Sequence, residues 1–133
     1  MKVWVDTSAL LAVLDGDDRH HDRARTVWVE LLQSGAVLVL SSYVLVETCA
    51  LVQRRLGLDA LRVLHEDILP LVRVIWVDEE AHRLGATALL TANRRRLSLV
   101  DCVSFALMRR AGINEVFAFD VHFREQGFRY LAD

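Results

Sequence analysis

The sequence predicts an α/β fold of three layers, α/β/α, built on a central, mostly parallel sheet. Short apolar runs rich in Val, Ile, Trp and Phe alternate along the chain with longer segments of helical period. The runs are almost continuously apolar, as strands are when helices cover both faces of a parallel sheet. No internal repeat and no linker breaks the alternation. With 133 residues the chain is near the commonest size for one domain, so residues 1–133 are expected to form a single domain able to bury a sizeable core.

The elements follow in order. Residues 2–5 read as the first strand, ended by Asp6. The next apolar run, 9–14, meets Asp15, Asp17 and Asp18 and is too short for the core of a signal peptide. Helical period sets in over 21–33. A strand is expected at 36–40, helices at 43–56 and 58–69, and a further strand at 72–77. A helix at 79–90 leads to the polar loop 93–98, which carries Arg94, Arg95 and Arg96. A helix at 99–111 and a strand at 115–119 complete the pattern. Gly35, Gly57 and Gly112 each stand just past a helical stretch, where a left-handed cap is easiest for glycine.

Charge and composition exclude several classes. Sixteen Lys and Arg against eighteen Asp and Glu leave a net charge of -2, so no global basic field draws nucleic acid or anionic membrane, and any nucleic-acid contact must be local. The 53% of hydrophobic residues and the single Pro rule out disordered and collagen-like chains. Nowhere do eighteen apolar residues run together, so no membrane span is expected. Cys49 and Cys102 stand apart, as small apolar residues of a reduced, cytoplasmic protein do. Gly-rich phosphate loops of the G-x-G-x-x-G and G-x-x-x-x-G-K types are missing, as is the G-x-S-x-G nucleophile elbow.

The acids carry the functional signal. Asp6 ends the first strand and Asp120 the last, which puts both at the carboxyl edge of the sheet, where open α/β sheets bind ligands. Glu47 and Asp101 fall in the first turns of helices whose amino ends lie at that same edge. Each acid also has a local reading. Asp6 can cap a helix, Asp101 completes a capping box with Ser98, Glu47 suits a positive helix end, and Asp120 opens a turn. Four carboxylates on one edge, however, raise one another's pKa and oppose folding unless a cation neutralises them. Asp6-Thr7-Ser8 lacks the second Asp of a D-x-D phosphotransfer nucleophile, so the metal reading is the one that survives.

Val3-Trp4-Val5-Asp6-Thr7-Ser8-Ala9, Ser41-Ser42-Tyr43 leading to Val46-Glu47, Leu97-Ser98-Leu99-Val100-Asp101, and Phe119-Asp120-x-His122-Phe123 with Gly127-Phe128 together resemble a PIN domain of the VapC-like toxin ribonuclease family. The match runs from residue 1 to about 131, and its specificity lies in the order and spacing of all four acids. The resemblance implies a metal-dependent endoribonuclease, an RNA substrate, a VapB-like antitoxin partner and a homodimer. It places Asp6, Glu47, Asp101 and Asp120 at the acidic positions and Ser8 or Thr7 at the hydroxyl position. A silent RNA- or protein-binding module of the same fold, and a nuclease outside any toxin system, stay open as alternatives.

Mg²⁺ takes hard oxygen ligands, keeps several waters, and needs only one or two direct carboxylates per ion; Mn²⁺ fits the same donors. Asp6 and Asp101 are the expected central ligands, flanked by Glu47 and Asp120, for one or two ions. Ser104, three residues beyond Asp101, either holds a metal water or phosphate or is only a helix-facing polar group. Arg94, Arg95 and Arg96 either bind phosphates or form a solvated loop. Arg19, Arg23 and Arg25 around His20-His21 are expected on the surface, since adjacent histidines cannot converge on one ion from one helix face. The helices at 43–56 and 58–69 carry Val44, Leu45, Leu51, Val52, Leu58, Leu61, Leu64 and Leu69, more apolar positions than one sheet contact needs, and self-association is expected through them.

Overall fold

The structure, a computed structural model, describes residues 1–132. Among these, one sheet is formed by β1 (Lys2–Val5), β2 (Val37–Ser41), β3 (Val72–Ile75), β4 (Glu115–Phe117) and β5 (Arg129–Tyr130), in the order β3-β2-β1-β4-β5. Every neighbouring pair is parallel. Trp4 of the central strand faces Val39 on one side and Val116 on the other, and Val3, Trp4 and Val5 are fully buried, as continuous apolarity requires of a strand covered on both faces.

Helices α1 (Thr7–Leu14) and α2 (His21–Gln33) connect β1 to β2, and α3 (Ser42–Leu56) and α4 (Leu58–Val63) connect β2 to β3. α5 (Glu79–Ala92) and α6 (Leu99–Ala111) return the chain across the sheet to β4, and α7 (His122–Glu125) leads to β5. Right-handed crossovers put the first group on one face and the second on the other. The packing agrees: α1 lies against α2 and α3, and α5 against α6. The α5–α6 contact is close enough that a methyl group at Gly85 would sit 2.4 Å from Cγ2 of Val103. The sheet grows outward from β1 in one direction and then in the other, so the crevice between the carboxyl ends of β1 and β4 is its switch point.

Several boundaries differ from the sequence reading. The run at residues 9–14 belongs to α1, which Asp6 caps; eight residues with five of them buried show little helical period. The helix expected to reach residue 69 gives way after Val63 to a π turn (Leu64–Ile68) and a 3-10 turn (Leu69–Leu71), where Pro70 removes a backbone donor. The strand expected to run to residue 119 ends at Phe117. The short α7 and β5 carry too few residues for any period to show. Val44, Val52 and Leu64, counted toward a self-association face, are fully buried in the chain's own core; Leu58 remains 63% exposed. No helix among the described residues is long and apolar enough to cross a membrane.

Candidate active site

Asp6 stands where β1 becomes α1. Its backbone is extended, and Oδ2 accepts hydrogen bonds from the Ser8 amide at 3.1 Å and the Ser8 hydroxyl at 2.6 Å. Its own amide donates to the Phe117 carbonyl at 3.0 Å, carrying the β1–β4 pairing up to the carboxylate-bearing residue. The Ser8 hydroxyl oxygen also accepts from the Phe119 amide at 3.0 Å, which takes that amide out of the ladder. Asp120 therefore sits on a turn beyond β4 that is tied to α1. Oδ1 of Asp120 accepts from the His122 amide at 3.0 Å, and its carbonyl accepts from the Tyr130 hydroxyl.

Asp101 comes from the other side, in the first turn of α6. Ser98 Oγ accepts from the Asp101 amide at 3.0 Å and Asp101 Oδ2 accepts from the Ser98 amide at 3.4 Å, the reciprocal capping box read from the sequence. The cap does not use up the carboxylate. One carboxylate oxygen each from Asp6, Asp101 and Asp120 lies within 4.8 Å of the other two.

Burial dominates the electrostatics of this triangle. Asp6 is pushed up to about 7, first by desolvation and then by the charge of Asp120, against the two Ser8 hydrogen bonds. Desolvation followed by the Asp6 charge moves Asp101 up to about 6. Asp120 is raised by desolvation and then by Asp101. The Asp120 charge raises Asp6 and the Asp101 charge raises Asp120, so the three carboxyls do not titrate independently. His122 acts in the opposite sense on Asp101 and Asp120. Among the described residues no arginine or lysine forms an ion pair with any of the three.

The other residues singled out in the sequence separate. Glu47, half-buried on α3, lines the same cleft of about 320 Å³ but lies outside the triangle. Its pKa is raised by desolvation, and a hydrogen bond from Thr7 opposes the shift. Thr7 in turn accepts from the Thr48 hydroxyl at 3.0 Å, so a chain of hydroxyls orients Glu47. Ser104 is turned away, fully buried, with Oγ donating to the Val100 carbonyl at 2.8 Å, and it does not line the cleft. Of the three loop arginines only Arg96 lines the cleft; Arg94 is paired with Glu125 at 2.8 Å, and Arg95 borders a separate surface recess with it. His122, which also lines the cleft, was not singled out as a site residue; its spacing two residues from Asp120 was the available signal.

The donor set of the triangle is all oxygen. Hard divalent cations such as Mg²⁺ and Mn²⁺ take such donors, and clustered carboxylates that no arginine or lysine pairs with among the described residues are what such an ion would neutralise. The residues present therefore fit a divalent ion.

A PIN-type α/β/α sheet with an acid triangle at its switch point defines the class: the chain belongs to the PIN domain family, which it matches over residues 3–129. Within that family its relatives are VapC-like toxin ribonucleases. It is 33% identical over 127 residues to the 23S rRNA-specific endonuclease VapC20 of Mycobacterium tuberculosis, covering 95% of each chain. It is 26% identical over 129 residues to a VapC ribonuclease of Aquifex aeolicus, covering 94% of this chain and 92% of that one. The crystal structure of the mycobacterial VapC20, described as a toxin that cleaves the sarcin-ricin loop, superposes with a TM-score of 0.85 over 95% of both chains. VapBC2 of Rickettsia felis, solved on a promoter DNA fragment, shares the fold at 14% identity, with a TM-score of 0.71 over 98% of this chain and 97% of that one.

Proposed function

We propose that this chain is a divalent-metal-dependent endoribonuclease, the toxin of a VapBC-type toxin–antitoxin module, acting in the cytoplasm on RNA phosphodiester bonds. The observation that carries this reading is the triangle of buried Asp6 and Asp101 with half-buried Asp120, one carboxylate oxygen of each within 4.8 Å of the others and none in an ion pair with an arginine or lysine among the described residues. Asp6, Asp101 and Asp120 would hold Mg²⁺ or Mn²⁺, with Glu47 reaching in from the flank. An ion bound there would supply activation of a water and neutralisation of charge on the leaving 3′-oxygen. The chain's own part is positioning. Ser8 holds the Asp6 carboxylate toward the cleft, Thr7 does the same for Glu47, and Arg96 offers a fork of donors to a phosphate entering beside them. The reading needs no protein nucleophile, and neither cysteine lines the cleft.

Likeness to a 23S rRNA endonuclease makes large-subunit ribosomal RNA the first substrate to try. Cleavage by the purified protein is expected with Mg²⁺ or Mn²⁺ and should stop in EDTA; undiminished cleavage in EDTA, with contaminating nuclease excluded, overturns the metal mechanism. We further propose a VapB-like antitoxin partner and a homodimer that covers the apolar surface left on α3 and α4, where Val46, Leu58 and Val63 are exposed. Light scattering is expected to give about twice the 15.1 kDa chain mass, and a constant monomer mass across micromolar concentrations rejects the dimer.

A further inference from the structure

The motif Phe119-Asp120-x-His122-Phe123 gives the triangle one acid, and its histidine has no part in the reading above. His122 opens α7, two residues beyond Asp120, and lines the acid cleft. Its ring is held from behind by a charged chain. Arg94, in the loop ahead of α6, donates to both carboxylate oxygens of Glu125, at 2.8 Å and 3.3 Å, and Glu125 Oε1 lies 3.4 Å from His122 Nδ1. A spacing of three residues on α7 puts Glu125 and His122 on one face. Nδ1 is buried on that side, so the 16% of the side chain that stays exposed belongs to the rest of the ring, and Nε2 is the nitrogen that gives onto the cleft. A carboxylate behind one nitrogen of an imidazole orients the ring and so sets where the other nitrogen points.

The neighbours of that nitrogen decide what it can meet. Asp101 and Asp120 are near enough that the ring acts on both carboxyls, so an anionic phosphate at Nε2 would face two acids, and a hydroxyl would not. A hydroxyl donates as well as accepts, and therefore suits Nε2 with or without a hydrogen on it. The cleft's own hydroxyls are engaged elsewhere: Ser8 with Asp6 and Phe119, Ser98 with Asp101, and Thr7 with Thr48 and Glu47. The ribonuclease reading puts the leaving 3′-oxygen of the substrate at the triangle, and the neighbouring carbon of that ribose carries the 2′-hydroxyl. We infer that His122 Nε2 hydrogen-bonds the 2′-hydroxyl of the nucleotide on the 5′ side of the cut, with Glu125 and Arg94 as positioning residues, and that this contact makes the site select RNA over DNA. The inference rests on the ribonuclease reading and adds to it the residue that reads the sugar.

The test first maps a cut on ribosomal RNA in Mg²⁺. A synthetic RNA spanning it, extended until wild type cuts it, is then made in two forms, one all ribose and one with a single 2′-deoxyribose on the 5′ side of the cut. Wild type is expected to lose roughly tenfold in kcat/KM on the deoxy form, the worth of about one hydrogen bond. His122→Ala should be slower than wild type on the ribose form by a similar factor and lose nothing further on the deoxy form, the non-additivity that marks a direct contact. His122→Phe keeps a ring without its nitrogens and should behave as His122→Ala does, even if the smaller side chain loosens α7. Glu125→Gln should show the same pattern at smaller size. The rise in melting temperature on adding Mg²⁺ should stay close to the wild-type value in all three, because the Asp120 carboxylate is bonded to the His122 backbone amide and not to its ring. An equal deoxy penalty in wild type and in the His122 variants, or no penalty in wild type, overturns the contact and leaves the ribonuclease reading in place. Loss of the Mg²⁺ shift in both His122 variants overturns it too, since the residue would then act through the triangle. Wild type that leaves RNA intact in Mg²⁺ overturns the ribonuclease reading and the contact with it.

Discussion

Asp6 and Asp78 do the same local work. Both have extended backbone ahead of a helix, and both accept a hydrogen bond from an amide of its first turn, Asp6 from Ser8 at 3.1 Å and Asp78 from Ala81 at 2.8 Å. Their surroundings are opposite. Asp78 is exposed and paired with Arg110 at 2.9 Å, and that hydrogen bond, ahead of the Ala81 amide, lowers its pKa. Asp6 is 3% exposed, faces two further acids, and is raised to about 7. A cap needs only one oxygen near the helix end and is satisfied at the surface at no electrostatic cost. The difference shows that capping accounts for the backbone geometry at Asp6 and for nothing else about it. Burying it beside Asp101 and Asp120 opposes folding, a cost that a divalent cation bound there would offset.

Asparagine separates the two roles, because it keeps the capping oxygen and removes the charge. In the Mg²⁺ assay Asp6→Asn and Asp101→Asn are expected to lower RNA cleavage by orders of magnitude, whereas Asp78→Asn should cleave as wild type does. Near wild-type turnover by Asp101→Asn would take that residue out of the ligand set and leave a two-acid site.

The metal-free protein offers a smaller but more direct reading of the same contrast. Folded-state values of about 6 for Asp101 and about 7 for Asp6 lie above the ordinary 3.8. Such groups bind more protons in the folded than in the unfolded chain, so stability falls as pH rises through the unfolded value and then the folded one. Below about pH 4 the penalty is absent, and by pH 7 it is close to fully felt. Asp101→Asn should then melt several degrees above wild type in EDTA at pH 7, with a flatter pH profile between 4 and 7. Mg²⁺ should raise the melting temperature of wild type more than that of the variant. If the variant melts lower in EDTA and Mg²⁺ shifts both equally, Asp101 is a helix cap and the triangle does not hold the ion.

What the sequence revealed follows the same division between backbone and surroundings. The central strands were legible because burial on both faces leaves an unbroken apolar run, and the site acids because strand ends and helix starts share one edge of such a sheet. Which side chains reach the cleft was not legible. Arg94 and Arg96 are two residues apart in a loop without period, yet one goes to Glu125 and the other to the cleft. Ser104 shares a helix with Asp101 at a favourable spacing, but its hydroxyl bonds back to the preceding turn. Glu47 shares the sheet edge with the other acids by helix position, yet it lines the cleft outside the triangle. α7 and β5, of four and two residues, have no period to read.

The smallest effect is expected at Asp78 itself, and it tests whether the larger ones mean what they are taken to mean. Its folded-state pKa lies below the ordinary 3.8, so its contribution is present above that value and is lost as pH falls through the lowered one. This is the reverse of the Asp101 window. Asp78→Asn should therefore melt slightly below wild type at pH 7, equally in EDTA and in Mg²⁺, and the gap should close in acid. Added salt should narrow it as well, because Asp78 and Arg110 are both partly exposed and their attraction is screened. Removing any negative charge from a chain of net charge -2 relieves some general repulsion, and that relief alone could raise a melting temperature. If Asp78→Asn melted higher than wild type in EDTA, as Asp101→Asn is expected to, the gain at Asp101 would reflect global charge and not the buried triangle. A loss at Asp78 beside a gain at Asp101, measured at one pH and ionic strength, assigns the repulsion to the three acids at the switch point.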